Sequence, residues 1–267
     1  GRRAGIPVLC TAATADQRSD LGEIEMTGAT GPLVAWIARA SLQTWVATTA
    51  AVEEALVRAG IQPRNIVRIP NGIDVCDEGR DTGFDDKVSR FLYLGRLSTN
   101  THRDVPTLVR AFDCLAMKWP KVELALVGGG DLFEETQQLV ETCAARDRIH
   151  LPGFDEPEKW LAWANCFVLP SRREGLSVAL LEAMAEGLPC IVNDIPPNRE
   201  VLDNGRAGVL VPVENCRALE NAMRRMVEDS KTAAYFGRKA KERAQRCYSL
   251  KSVASRYHNL YESLLGL

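Results

Sequence analysis

Two glutamates eight positions apart, Glu174 and Glu182, are the residues of this chain best suited to chemistry. They lie in the stretch VLPSRREGLSVALLEAMAEGLP, residues 168–189. An apolar run ends there at Pro170, a loop carries Glu174, and a helix-type pattern beginning near Ser177 carries Glu182. An ionised carboxylate only accepts hydrogen bonds, and it can take them from two adjacent hydroxyls. That suits the vicinal diols of a sugar and of a ribose flanking a diphosphate. Ser177 is a candidate N-cap, and the first-turn N–H groups beyond it form an arrangement that holds phosphate. Glu182 falls among apolar and small residues. An unpaired buried carboxylate is costly, so Glu182 is expected to have a donor partner.

Two other segments carry the same kind of chemistry. In LGRLS, Gly95 turns the chain and Arg96 offers a fork of donors. In LVGGG, Gly128, Gly129 and Gly130 allow close backbone approach. Each feature has an ordinary explanation alone: a surface ion pair, a turn, a chance pair of acids. Their recurrence, in order, at the ends of successive strand-like runs is what points to a ligand, because open α/β sheets bind ligands at the carboxyl ends of their strands.

The elements that must position these residues read as strands alternating with helices. Strand-type runs occupy residues 6–10, 44–49, 66–74, 90–95, 122–127, 148–153, 166–170, 189–193 and 208–212. Helical patterns occupy residues 31–41, 50–59 and 132–145, and one more runs from a cap at Asp104 through Leu108, Phe112, Leu115 and Trp119 to Pro120. From about Ala218 onward two or three helices follow one another without a strand. Nearly continuous apolar runs separated by helices are what a parallel sheet covered on both faces requires. The polar stretch CDEGRDTGFDDK, residues 76–87, has no apolar period and is the best domain boundary. The expected division is therefore 1–75 as the second half of an N-terminal Rossmann-like domain, 76–87 as linker, and 88–267 as a complete C-terminal domain, its last helix placed where it can pack back on the N-terminal one.

Composition excludes several classes. The chain of 267 residues is 46% hydrophobic and 25% charged, a globular balance, and its net charge of -2 argues against a general nucleic-acid binder. Its longest apolar runs fall far short of the ~20 residues of a membrane span, and no signal peptide is visible. The eight cysteines form no C-x-x-C pair and read as buried reduced thiols in a cytosolic protein. No G-x-G-x-x-G follows a strand, which weighs against a dinucleotide dehydrogenase. The chain opens on Gly1 just before a strand-like run, so its true start is expected upstream.

The strings PNGID, LGRLS, LVGGGDL, LPGF and above all PSRREGLSVALLEAMAEGLPCIVNDIPPNREVL resemble the retaining glycosyltransferases of family 4, with their GT-B fold of two Rossmann-like domains and their Glu-x7-Glu signature. The resemblance runs from about Gly5 to Leu267, with the N-terminal domain cut short. It implies transfer of a sugar, with retention, from a nucleotide-diphosphate sugar to an acceptor hydroxyl, in bacterial surface polysaccharide or glycolipid synthesis. Carried over, Glu174 would bind the transferred sugar, Glu182 the ribose, Arg96 the diphosphate, and Gly95, Gly128, Gly129, Gly175, Leu176, Ser177 and Val178 would line the donor. The base is expected near Pro152 to Phe154. The family places a lysine after the Gly-Arg; here Arg103 stands closest and would serve with altered geometry, with the adjacent His102 as the other phosphate contact or a solvated loop residue. Asn198, Arg199 and Glu200 would contact the ligand or support the Glu174 loop.

The resemblance further implies no metal: Asp-x-Asp does not occur, and Asp77-Glu78 and Asp85-Asp86 fall in the linker. The partners would be a nucleotide-diphosphate sugar and a carbohydrate or lipid-linked acceptor, with no nucleic acid. The location would be the cytoplasm or the inner face of the membrane. Peripheral membrane association stays open, since the basic residues within 224–246 fit a solvated mixed-charge helical face better than a membrane patch. Two alternatives remain: a sugar phosphorylase of the same fold, and a donor-binding fragment inactive without the missing N-terminal half.

Overall fold

The computed structural model describes residues 9–12, 44–75, 89–99 and 102–266. The expected helix at 31–41 and linker at 76–87 lie outside them, as does the start of the first expected strand. The chain divides into two compact units, one of residues 1–72, 174–176 and 248–267, the other of residues 73–173 and 177–247.

In the first unit three strands form a parallel sheet in sequence order: β1 (Leu9–Ala12), β2 (Thr44–Ala47) and β3 (Ile66–Arg68). β3 is shorter than the expected run to Asp74. Ile69 still donates to Ala47, but Pro70 has no N–H with which to continue the ladder. Helix α1 (Ala50–Arg58) starts at Thr49, whose side chain accepts from Val52 N, and buries Val52, Ala55 and Leu56. It packs against Ala12, Trp45 and Ala47.

The second unit is a six-stranded, wholly parallel sheet in the order β6-β5-β4-β7-β8-β9. Its strands are β4 (Arg90–Leu94), β5 (Glu123–Val127), β6 (Ile149–Gly153), β7 (Cys166–Leu169), β8 (Cys190–Asn193) and β9 (Val209–Val211). β4 and β5 bury four of five residues each, and β7 and β8 are buried throughout, so they are apolar without alternation. The chain winds outward from β4 to β6, then returns to β7 beside β4 and winds the other way. The β4/β7 boundary is thus the topological switch point, where ligands of such sheets bind.

Helices α2 (Val105–Lys118), α3 (Phe133–Glu141), α4 (Pro157–Trp163), α5 (Val178–Ala185), α6 (Pro196–Val201) and α7 (Cys216–Glu228) follow these strands. α2 is capped as expected by Asp104, which accepts from Thr107 N. It buries Leu108, Phe112 and Leu115, each completely, at roughly 1.5–3 kcal/mol of burial apiece. α3 ends four residues before the expected Ala145 because the carboxylate of Asp113 captures the Ala145 N–H at 2.8 Å and draws the chain off the helical path. After α7, α8 (Ser230–Tyr248) and α9 (Leu250–Leu265) complete three consecutive helices. α9 belongs to the first unit, where Val253 and Leu260 share a core cluster with Val46 and Ile69.

The expectation of buried thiols needs correction. Cys143, Cys166 and Cys190 are buried, but Cys114 on α2 is exposed and Cys10, Cys216 and Cys247 are half-buried. All seven are free. Cys114 points outward because Phe112, Leu115 and Ala116 already fill the core side of its turn.

Candidate functional site

The carboxyl ends of β4, β5 and β6 are joined by backbone alone. Gly95 N donates to Val127 O, Gly128 N to Gly153 O, and Leu97 N to Gly129 O, all at 2.8–3.0 Å. Such close approach is possible only without side chains: Gly128 has φ +140°, and a Cβ there would lie 2.0 Å from the Gly95 carbonyl oxygen. A Cβ on Gly129 would strike the Phe154 ring at 2.6 Å. Gly95 and Gly128 therefore make a thin floor, and Gly129 beside it carries the Phe154 ring.

Above this floor opens a cavity of about 250 Å³ at the switch point. Of the candidate residues, Gly95, Arg96, Gly128, Phe154, Val178 and Glu182 line it. Asp155 and Pro157 also line it, and sequence reasoning did not single them out. Arg96 is exposed, and Phe154 is 75% exposed although it is aromatic.

Glu182 is half-buried, and no hydrogen bond or ion pair reaches its carboxylate among the described residues. The donor partner expected from the sequence is therefore not among the described residues. Burial pushes the Glu182 carboxyl above its ordinary range, and the nearby Glu158 charge adds to that. The helix carrying it begins as expected at Ser177, whose hydroxyl accepts from Leu180 N at 3.4 Å. Ser177, Leu176 and Gly129 do not line the cavity. Glu174 and Gly175 do not line it either, and with Leu176 they group with the first unit.

Arg103 lies elsewhere than on this cavity wall. Its guanidinium donates to Ser171 Oγ, and it lines a second cavity of about 370 Å³ with Ser98, Arg110, Glu135 and Gln138 between α2 and α3. Burial lowers its pKa and the charge of Arg96 lowers it further, so the two cations are within electrostatic reach of each other. The buried Tyr93 hydroxyl, pushed up to about 12 chiefly by burial, donates to Arg96 O at 3.0 Å. Residues 102–104 and 170–172 are zipped by Asp104 N to Pro170 O (2.6 Å) and Arg172 N to His102 O (2.9 Å). Arg172 also pairs with Asp104 and Glu214. His102 is half-buried with φ 51°.

Asn198 is buried and donates to Asn193 O at 2.8 Å, while Arg199 binds Asp194 through both of its carboxylate oxygens. These bonds tie α6 to the end of β8, which is a supporting role. Arg243 donates to the carbonyl oxygens of Glu200 and Val201 from α8. Among the described residues no group of three or more His, Cys, Asp or Glu could hold a metal ion, and no helix is long and apolar enough to cross a membrane.

Comparison with known proteins gives the following. The sequence model of the family described as "Glycosyl transferases group 1" matches residues 77–243. The phosphatidyl-myo-inositol mannosyltransferase of Mycolicibacterium smegmatis is 31% identical over 206 residues, covering 75% of this chain and 52% of the relative. An N-acetylgalactosaminyltransferase acting on a diphospho-undecaprenol-linked sugar in Campylobacter jejuni is 28% identical over 200 residues, covering 73% of this chain and 53% of the relative. The chain thus spans about half the length of these curated relatives. Among solved structures, HepE of Anabaena in complex with UDP superposes with a TM-score of 0.81 at 19% identity, over 98% of this chain and 74% of that one. That likeness shows the GT-B fold.

Proposed function

The chain belongs to the group 1 glycosyl transferases, and from that premise we propose that it provides the donor half of an enzyme moving a sugar from a nucleotide diphosphate to an acceptor hydroxyl. The observation that carries this reading is Glu182. It is a half-buried carboxylate with no protein donor among the described residues, facing a glycine-floored cavity at the switch point of a doubly wound sheet. An acceptor kept in that state is completed by a ligand rich in hydroxyls, and the ribose of a nucleotide supplies two.

Glu174, as in the family-4 resemblance, would take hydroxyls of the transferred sugar. Arg96 would meet the diphosphate, Arg103 would add positive potential from the neighbouring cavity wall, and the α5 N-terminus behind Ser177 would add its dipole. In this reading the reaction proceeds with retention and without a metal. No side chain need act as a nucleophile: charge grows on the departing diphosphate, and preorganised cations stabilise it more in the transition state than in the ground state. The domain running from residue 88 would hold the donor. The names of the relatives, which transfer sugars to a phosphatidylinositol and to a diphospho-undecaprenol-linked sugar, support an acceptor in bacterial glycolipid or surface polysaccharide synthesis.

The test is calorimetric titration of this chain with UDP, GDP, UDP-glucose and GDP-mannose without added divalent metal, alongside Glu182→Ala. One nucleotide should bind, and Glu182→Ala should lose at least about thirtyfold in affinity, the cost of roughly 2 kcal/mol for charge-assisted bonds to a diol. A folded protein that binds none of the four overturns the reading, and weight then passes to a phosphorylase of the same fold.

A further inference from the structure

Phe154 presents a puzzle that the nucleotide-site reading does not resolve. A ring that is 75% exposed has little packing to hold it, and the residue before it, Gly153, sits at φ +77°, where the backbone is least constrained by side-chain sterics. Resting over Gly129 supports the ring from below only. What holds the segment from behind is an unusual bond set. The Asp155 carboxylate accepts from Trp160 Nε1 at 2.8 Å, from Lys159 Nζ at 2.8 Å and from Glu156 N at 2.9 Å.

This is not helix capping. α4 starts after Glu156 with no side-chain cap bond, and Asp155 reaches neither of the helical N–H groups that a cap would satisfy. Nor is it only a surface ion pair, because the indole bond spans five residues and fixes a direction. The indole is itself immobilised: Trp160 packs edge-on against Trp163 at 5.5 Å between ring centroids, lies 6.5 Å from His150, and has the Lys159 ammonium 5.4 Å from its own ring centroid. His150 in turn bonds Glu123 at the start of β5, at 2.7 Å. A chain of contacts therefore runs from the base of the sheet through Trp160 to Asp155, and Asp155, Pro157 and Phe154 are a wall of the Glu182 cavity.

We propose that Trp160 is a positioning residue for nucleobase binding: through Asp155 it locks residues 154–157 so that the Phe154 face is held ready for the base of the donor nucleotide. The inference rests on the donor-site reading above. Its physical content is preorganisation. A wall ordered before binding does not have to be ordered by the ligand, and a flat exposed ring on a fixed mount is a stacking platform for an aromatic base.

Trp160→Phe removes the indole N–H and keeps an aromatic ring against Trp163. Measured on this chain, its dissociation constant for the nucleoside diphosphate that binds the wild type should rise roughly fivefold, the scale of losing one immobilising contact. The dissociation constant of inorganic pyrophosphate, which has no base, should stay within about twofold, with the melting temperature within about 2 °C of wild type. Asp155→Ala should reproduce the split. Unchanged nucleotide affinity in Trp160→Phe, with Glu182→Ala still defective, overturns the positioning role and leaves the donor site standing. Equal losses for nucleotide and pyrophosphate also overturn it, since the residue would then support the fold generally. A wild type that binds no nucleotide removes the donor reading and this inference together.

Discussion

Two of the cavities of the second unit, the one between α2 and α3 and the one at the switch point, differ in the polar groups they present. The larger, between α2 and α3, is lined by Arg103, whose guanidinium is engaged by Ser171, and by residues of mixed charge. The smaller, at the switch point, holds a carboxylate with no donor among the described residues and an aromatic ring left mostly in solvent. Volume favours the first and chemistry the second. A site that leaves an acceptor half-buried and unmet is less stable alone than when a ligand occupies it. Unfinished bonding locates the site better than size does.

That comparison can be attacked at its floor. Gly128→Ala places a Cβ about where the Gly95 carbonyl oxygen already sits and forces a φ that L-residues avoid. It should cost at least about 3 kcal/mol and lower the melting temperature by roughly 8 °C in a thermal scan, with nucleotide binding lost at temperatures where the variant is folded. A variant as stable and as competent as wild type would mean that the floor is not built as described.

A smaller effect tests the unmet carboxylate. A folded-state pKa above the unfolded one means the native protein holds that proton more tightly. The stabilising contribution is present in full below the ordinary carboxylate range and is lost as pH rises through the elevated value. Glu182→Gln should therefore raise the melting temperature of the ligand-free protein slightly at neutral pH, by about 1 °C, and flatten its dependence on pH across that window. Nucleotide affinity should move oppositely, weakening as pH falls through the window, because a protonated carboxyl is a poorer acceptor for a diol. The same direction for both would contradict a functional carboxylate.

The smallest expected effect is also the sharpest contrast. Arg110→Ala, on the wall of the larger cavity, should leave nucleotide affinity within about twofold in the same titration, as an exposed cation with no ligand should. A tenfold loss would merge the two cavities into one site.

Local signals explain most of what could be read beforehand. Asp104 and Ser177 cap helices because short acceptor side chains before an apolar period have few other uses, and the glycines after β5 sit where backbones touch. The parallel sheet followed from apolar runs without alternation. What escaped depends on distance in sequence. The capture of Ala145 by Asp113 shortened α3, and the pairing of Arg103 with Ser171 drew a presumed ligand cation onto another wall. That no described residue donates to the Glu182 carboxylate could not be foreseen, since sequence patterning reports burial but not whether a donor comes near. Asp155 and Trp160 left a faint trace, an acid and an indole five apart around a helix-starting proline, which only the observed bond distinguishes from chance.

The placement of α9 has a consequence for biogenesis. Its Val253 and Leu260 close the core around Val46 and Ile69, and Gly72 approaches Leu250 so closely that a Cβ would meet it at 3.1 Å. During synthesis the β2 and β3 strands leave the ribosome long before the helix that covers them. Val46 and Ile69 must wait for Val253 and Leu260 while the entire six-stranded sheet is made. That core cluster therefore closes only when the last helix of the described chain arrives, although half of its residues are made early.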